Sequence, residues 1–362
     1  MGSYVEIIKI AIMFFPFIAL IISIPFILIQ YNKFGSISFF KAMIIYSFAL
    51  YMICAYFLVI LPLPSISEVS TLTTPRMQLI PFDFIFDFIK NTSLKITDIH
   101  TYIGALKQSC FFVPAYNIFL TMPFAIYLRY YFKLNLKQTI MYTFMLSLFF
   151  ELTQLSGLYF IYPRGYRLFD VDDLLLNTFG GVIGYLVSIP VIKLLPKLEN
   201  IDMDSREKGK KLSGFRRTTS LLLDLCLLVF ATIIMTIIIR TKYVFEITAF
   251  IYYFIIPIFL NNSTFGERFL NIQVVDEKEN RNVVRLFLRR FIFVIGYIII
   301  PFSISSYIIN VNIDIELKEI IGLIYLGILL LFYAITGLKY FFTNKQLLYE
   351  KFSKTKLVST IK

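Results

Sequence analysis

An all-α integral membrane protein of about nine transmembrane helices, N terminus outside and C terminus cytoplasmic, is what this sequence predicts. Three observations carry the prediction. Of 362 residues, 58% are hydrophobic and only 16% charged, a composition of polytopic membrane proteins. Nine apolar stretches reach or approach the ~20 residues that a helix needs to cross a hydrocarbon core. Basic residues also cluster in alternate loops: 31–41, 129–137, 193–217, 261–290 and the tail from 339 hold 25 of the 35 Lys and Arg, against 10 on the other side. The richer side is the cytoplasmic one. A net charge of +12 therefore reports cytoplasmic loops and membrane lipids, with no nucleic acid as partner.

In chain order the expected spans lie near 6–30, 40–62, 108–128, 138–161, 174–195, 219–239, 244–260, 288–309 and 319–341. The first has no small-residue cleavage pattern and reads as a retained helix kinked at Pro16 and Pro25. Between the second and third spans lies a long polar loop, 63–107, whose segment LIPFDFIFDFIK (79–90) puts Asp83, Asp87 and Lys90 on one helix edge. It reads as an interfacial amphipathic helix or a short buried or re-entrant piece. A charged stretch, 196–215, is the expected linker between an N-terminal membrane unit, 1–195, and a C-terminal one, 216–362. Past Asn271 the alternation to Asp276 reads as a small hairpin, followed by Arg285, Arg289 and Arg290 at lipid headgroups.

Chemistry concentrates between Phe150 and Tyr185. Glu151 and Gln154 share a helix face at i,i+3, and Asp173 and Asn177 share another at i,i+4. The loop between them carries Arg164, Arg167, Asp170 and Asp172. An acid at a membrane rim costs a few kcal/mol (~2.5–3.5 at a helix centre) and needs a partner, and the two arginines are the nearest cations. Two readings stay open: a structural salt-bridge knot, and a pocket for the polar part of an amphiphile. Asn117, mid-span, needs a partner too, for which a helix-helix hydrogen bond is favoured. Gly180-x-x-x-Gly184 has the spacing of a close helix crossing. In the second unit Arg217 and Asp224 share one face about 10 Å apart. Cys54, Cys110 and Cys226 stand alone in apolar runs, and the single His100 excludes a multi-histidine site, so no metal and no cofactor are expected.

Two resemblances add to this. Pro81-Phe82 after Arg76, Asn117 with Pro123, Glu151-x-x-Gln154, Arg167, Phe169-Asp170, Asp172-Asp173, Asn177-Thr178-Phe179-Gly180-Gly181 and Gly184-Tyr185 resemble the VanZ-like family over about 30–190. The second half resembles the RDD family of small membrane domains, named for an arginine and two aspartates. Arg217 and Asp224 fit its R-x6-D opening and FGERFLNIQVVD (265–276) its central element, while Glu350 stands where the closing aspartate is usual. The VanZ resemblance implies an accessory cell-envelope protein of Gram-positive bacteria, linked to resistance to the lipidated glycopeptide teicoplanin.

The expectation is a non-enzymatic cell-membrane protein. Its outer cluster of Asn117, Glu151, Gln154, Arg167, Asp170, Asp172, Asp173 and Asn177 would engage a lipoglycopeptide or a lipid-linked wall precursor. One alternative is an enzyme acting on a lipid headgroup, with an acid as general base and Arg167 as stabiliser, although no nucleophile stands out. The other is transport through Asp224 and Glu151.

Overall fold

The computed structural model describes residues 2–239, 241, 243–278, 280, 282–342 and 346–362. It is overwhelmingly helical. Nine helices fall on the expected spans: α1 Gly2–Phe34, α2 Phe39–Ile60, α3 Ser109–Tyr130, α4 Leu136–Leu155, α5 Val171–Leu194, α6 Gly214–Ile238, α7 Val244–Phe259, α8 Val283–Asn310 and α9 Ile315–Phe342. By length and composition seven can cross a membrane; α4 and α7 are the exceptions. Helix α7 is too short. Helix α4 has 20 residues but is inverted, burying Thr139, Thr143, Ser147, Glu151 and Gln154 while Met141, Met145 and Phe149 face outward. Such an arrangement suits a lipid surround, where apolar groups need no burial and polar ones do. Exposed large apolar residues such as Phe17, Leu20 and Ile21 make the same point.

The chain divides into two compact units, the first comprising residues up to Ser23 with Phe39–Leu198, the second Ile24–Ser38 with Glu199–Lys362. Helix α1 runs unbroken through Pro16 and Pro25. In the first unit α3 and α5 cross closely because glycine allows it. A Cβ added to Gly180 would lie 2.9 Å from the Ile118 carbonyl carbon, and one at Gly184 2.8 Å from the Met122 Cα, both closer than side-chain carbons approach. The hydroxyl of Thr121 then donates to the Asn177 carbonyl at 2.7 Å. Helix α4 is opened by a reciprocal cap between Asn135 and Gln138. In the long loop Asp83–Asn91 is helical with no residue buried, which excludes a piece sunk into the protein.

In the second unit α7 and α8 each contain a π-helical turn, Ile251–Ile255 and Val294–Ile299, two residues before Pro257 and Pro301. A proline supplies no N–H to the preceding turn, and a widened turn accommodates that loss. The charged stretch after the first unit holds a helix, Leu198–Gly209, with Lys208–Asp204 and Lys210–Glu207 pairs on its surface. Among the described residues no local hairpin follows Asn271. Strand β3, Ile272–Asp276, pairs antiparallel with β4, Thr355–Ser359, and the expected hairpin's Glu279 and Arg281 lie outside the described residues. In the first unit β1, Met77–Gln78, and β2, Phe169–Asp170, form a two-residue parallel pair.

Candidate functional site

The first unit holds a half-open cavity of about 260 Å³ with two kinds of wall. Ile7, Leu58, Phe112, Val113 and Phe150 are its apolar side, and Asn117, Glu151, Gln154, Arg167, Asp173 and Asn177 its polar one. Six of the eight residues expected at this cluster therefore share one lining. Each is placed by a local device. The N–H of Asp170 donates to Glu151 Oε2 at 2.9 Å, tying the loop to α4. Asn117 Nδ2 donates to Asp173 Oδ1 across the α3–α5 crossing. Asn177 Nδ2 donates to Ser147 Oγ at 2.9 Å, and that hydroxyl donates to the Asp173 carbonyl at 3.3 Å. The other amide atom of Asn177, Oδ1, is buried with no donor among the described residues.

Asp170 and Asp172 play other parts. The carboxylate of Asp170 accepts from the Asp172 N–H at 2.8 Å and caps α5. Burial pushes that carboxyl above its usual range; the Asp172 N–H opposes the shift, and the charges of Asp172 and Asp83 add to it. Asp172 turns away from the cavity and accepts from the N–H groups of Phe82 at 2.6 Å and Phe84 at 2.9 Å. It holds the exposed 83–91 helix to the start of α5.

The arginines do not build the expected salt-bridge knot. Arg167 donates to the carbonyls of Val59 at 2.6 Å and Leu61 at 2.9 Å, and Gln154 adds a 3.0 Å bond to Val59. These are oxygens at the C-terminal end of α2, where a cation satisfies orphan acceptors and complements the helix dipole. Arg164 is bound to the carbonyls of Leu72 and Thr74. Among the described residues no ion pair within 4 Å joins either arginine to these acids. Between α4 and this loop Gly157, Leu158, Tyr159 and Phe160 all have left-handed φ, from 54° to 70°, a conformation costing about 1–2 kcal/mol for each residue other than glycine. Such a turn returns the chain to the end of α2, where Tyr162 donates to the Pro64 carbonyl at 2.8 Å.

Two contributors escape a reading of the sequence: Ser147, which joins Asn177 to Asp173, and the α2 carbonyls that engage Arg167. A signal for Ser147 exists, since Thr139, Thr143, Ser147 and Glu151 recur at i,i+4 and all are buried. The carbonyls carry no sequence signal.

The second unit brings Arg217 and Glu350 together at 3.4 Å, and Arg289 reaches the same carboxylate at 3.0 Å. Arg289 is thus buried in an ion triad rather than at headgroups, while Arg285 pairs with Asp276 at 3.5 Å. Arg217 also covers the Tyr340 ring at 4.2 Å and Arg289 the Tyr349 ring at 4.9 Å. Asp224 accepts 2.7 Å bonds from Tyr252, Thr264 and the Gly266 N–H, separate from the triad's hydrogen bonds. Arg216, fully buried, donates to the carbonyls of Asn271 at 2.6 Å, Leu270 at 2.7 Å, Gly209 at 2.8 Å and Gly35 at 3.3 Å, and to Ser359 Oγ at 3.0 Å.

Comparison with curated proteins and with solved structures returns no match. The segment that supplies every residue of the cavity wall except Ile7, residues 48–193, matches the VanZ/LLP1 family model.

Proposed function

We propose that the first unit binds the polar head of an amphiphile whose tail stays in the membrane, without transforming it chemically. The observation that supports this is the composition of one cavity: a buried carboxyl, Glu151, a half-buried one, Asp173, and a donorless amide oxygen on one side, apolar residues on the other. Arg167 directs two of its N–H groups to α2 carbonyls rather than to the acids, and a hydroxyl- or amine-bearing head suits the two carboxyls and the Asn177 oxygen. At about 260 Å³ the volume sits just below ordinary small-molecule sites, roughly 300–1,000 Å³. It suits a headgroup or a single sugar, not a whole lipoglycopeptide.

On this reading the finer role is that of an envelope protein engaging a lipidated glycopeptide or a lipid-linked wall precursor at the outer leaflet, where the basic-loop count puts this loop. Teicoplanin susceptibility of cells expressing the intact protein, Glu151→Gln or Asp173→Asn at matched membrane levels tests it. Loss of protection in both variants is expected. Unchanged protection in both would overturn the reading.

For the second unit we keep the RDD-like reading, supported by the Arg217–Glu350 pair, with glutamate doing the work of the usual aspartate. Transport through Asp224 ranks below binding, because its carboxylate already accepts three short hydrogen bonds and suits a structural tie.

A further inference from the structure

We propose that the second unit holds one acyl chain of an anionic phospholipid in a groove between α6, α8 and α9. The groove, of about 390 Å³, is walled by Leu221 of α6, Ile298 and Phe302 of α8, and Leu329 of α9, and Tyr340 and Tyr349 close one end. Along α9 it extends from Leu329 to Tyr340, about 16 Å at the helical rise. Dividing the volume by that length gives a mean cross-section of about 24 Å², room for one extended hydrocarbon chain and too narrow for two. Its walls belong to helices long and apolar enough to span a membrane, so the molecules at hand to fill it are lipids. Phe302 and Tyr333 are 40% and 38% exposed, which leaves the groove open along its side for a chain to enter.

Charge selects the lipid. The Tyr349 end carries exposed Lys351 and Lys354, and the only acid between Tyr349 and the end of β4, Glu350, is consumed by two arginines. Over Tyr349–Ser359 this leaves surplus positive charge for a phosphate and no uncommitted carboxylate for a choline or ethanolamine, as in basic sites that choose anionic headgroups. Gly337 belongs to the wall, and a Cβ there would meet nothing within 4 Å. The absent side chain leaves width for the guest.

The test uses the full-length protein stripped in detergent and equilibrated with phosphatidylglycerol or phosphatidylcholine, the retained lipid being counted by native mass spectrometry. The intact chain is expected to keep one phosphatidylglycerol, preferred about tenfold over phosphatidylcholine. Gly337→Leu fills the groove and should lose it, whereas Gly327→Leu, on the same helix with equally open space but off the groove, should keep it. Ser305→Phe, also on the wall, is the second blocking variant should Gly337→Leu fail to fold. Equal retention by the blocked variants, equal retention of the two lipids, no retained lipid, or only free fatty acid would each overturn the proposal.

Discussion

Asn117 on α3 donates a hydrogen bond to the Asp173 carboxylate on α5, across the crossing that Gly180 and Gly184 keep close. This one bond joins the packing of the first unit to its cavity, because both residues also line the cavity. A buried acceptor that loses its donor costs about 1–3 kcal/mol, and the half-buried Asp173 carboxylate sits toward the lower end. Asn117→Ala should therefore lower the thermal unfolding midpoint of the detergent-solubilised protein. Adding Asp173→Asn should cost less than the sum of the two single changes; strict additivity would mean that the bond contributes nothing.

Gly184→Ala should destabilise by about 1–3 kcal/mol, since the new methyl meets the Met122 backbone, which cannot swing aside as a side chain would. Gly104→Ala, with nothing within 4 Å, should stay within about 0.5 kcal/mol of the parent. Unfolding midpoints of the pair decide it.

Asp172→Ala should free the N–H groups of Phe82 and Phe84 and loosen the 83–91 helix, with a loss of about 1–3 kcal/mol. Limited proteolysis or hydrogen exchange should show faster opening over 79–91 in that variant. Ligand binding at the cavity should persist, because Asp172 faces away from it. Loss of binding equal to that of Asp173→Asn would contradict this division of labour.

Glu350→Gln should be the most damaging single change in the second unit, at about 3–5 kcal/mol, because it strands two buried guanidinium groups. Glu350→Asp keeps the charge on a shorter arm and should recover part of the loss. A midpoint for the glutamine variant equal to that of the parent would show that the triad is not ionic.

Much of the fold was readable because hydropathy depends on the composition of a local window: all nine stretches are helices. The polar members of the cavity were readable as well, since an amide or acid inside an apolar run is costly wherever the chain goes. Adjacent acids are harder. Asp172 and Asp173 stand about 100° apart on a helix, and only the placement of the 82–84 backbone shows which one faces the cavity. Proximity in sequence misled for Arg164 and Arg167, whose partners are main-chain oxygens that exist as acceptors only because α2 ends there. Strand β3 was legible by alternation, but its mate lies beyond α9, and no local pattern encodes that pairing.

The oxygens around Arg216 come from positions as far apart as Gly35 and Ser359. A ribosome delivers the guanidinium with α6 long before it delivers β4, so for much of synthesis the cation lacks part of its cage. The second unit is therefore clasped by β4 rather than grown helix by helix. A nascent chain halted before Thr355 should be recognised by quality-control proteases even though α1 to α9 have already been made.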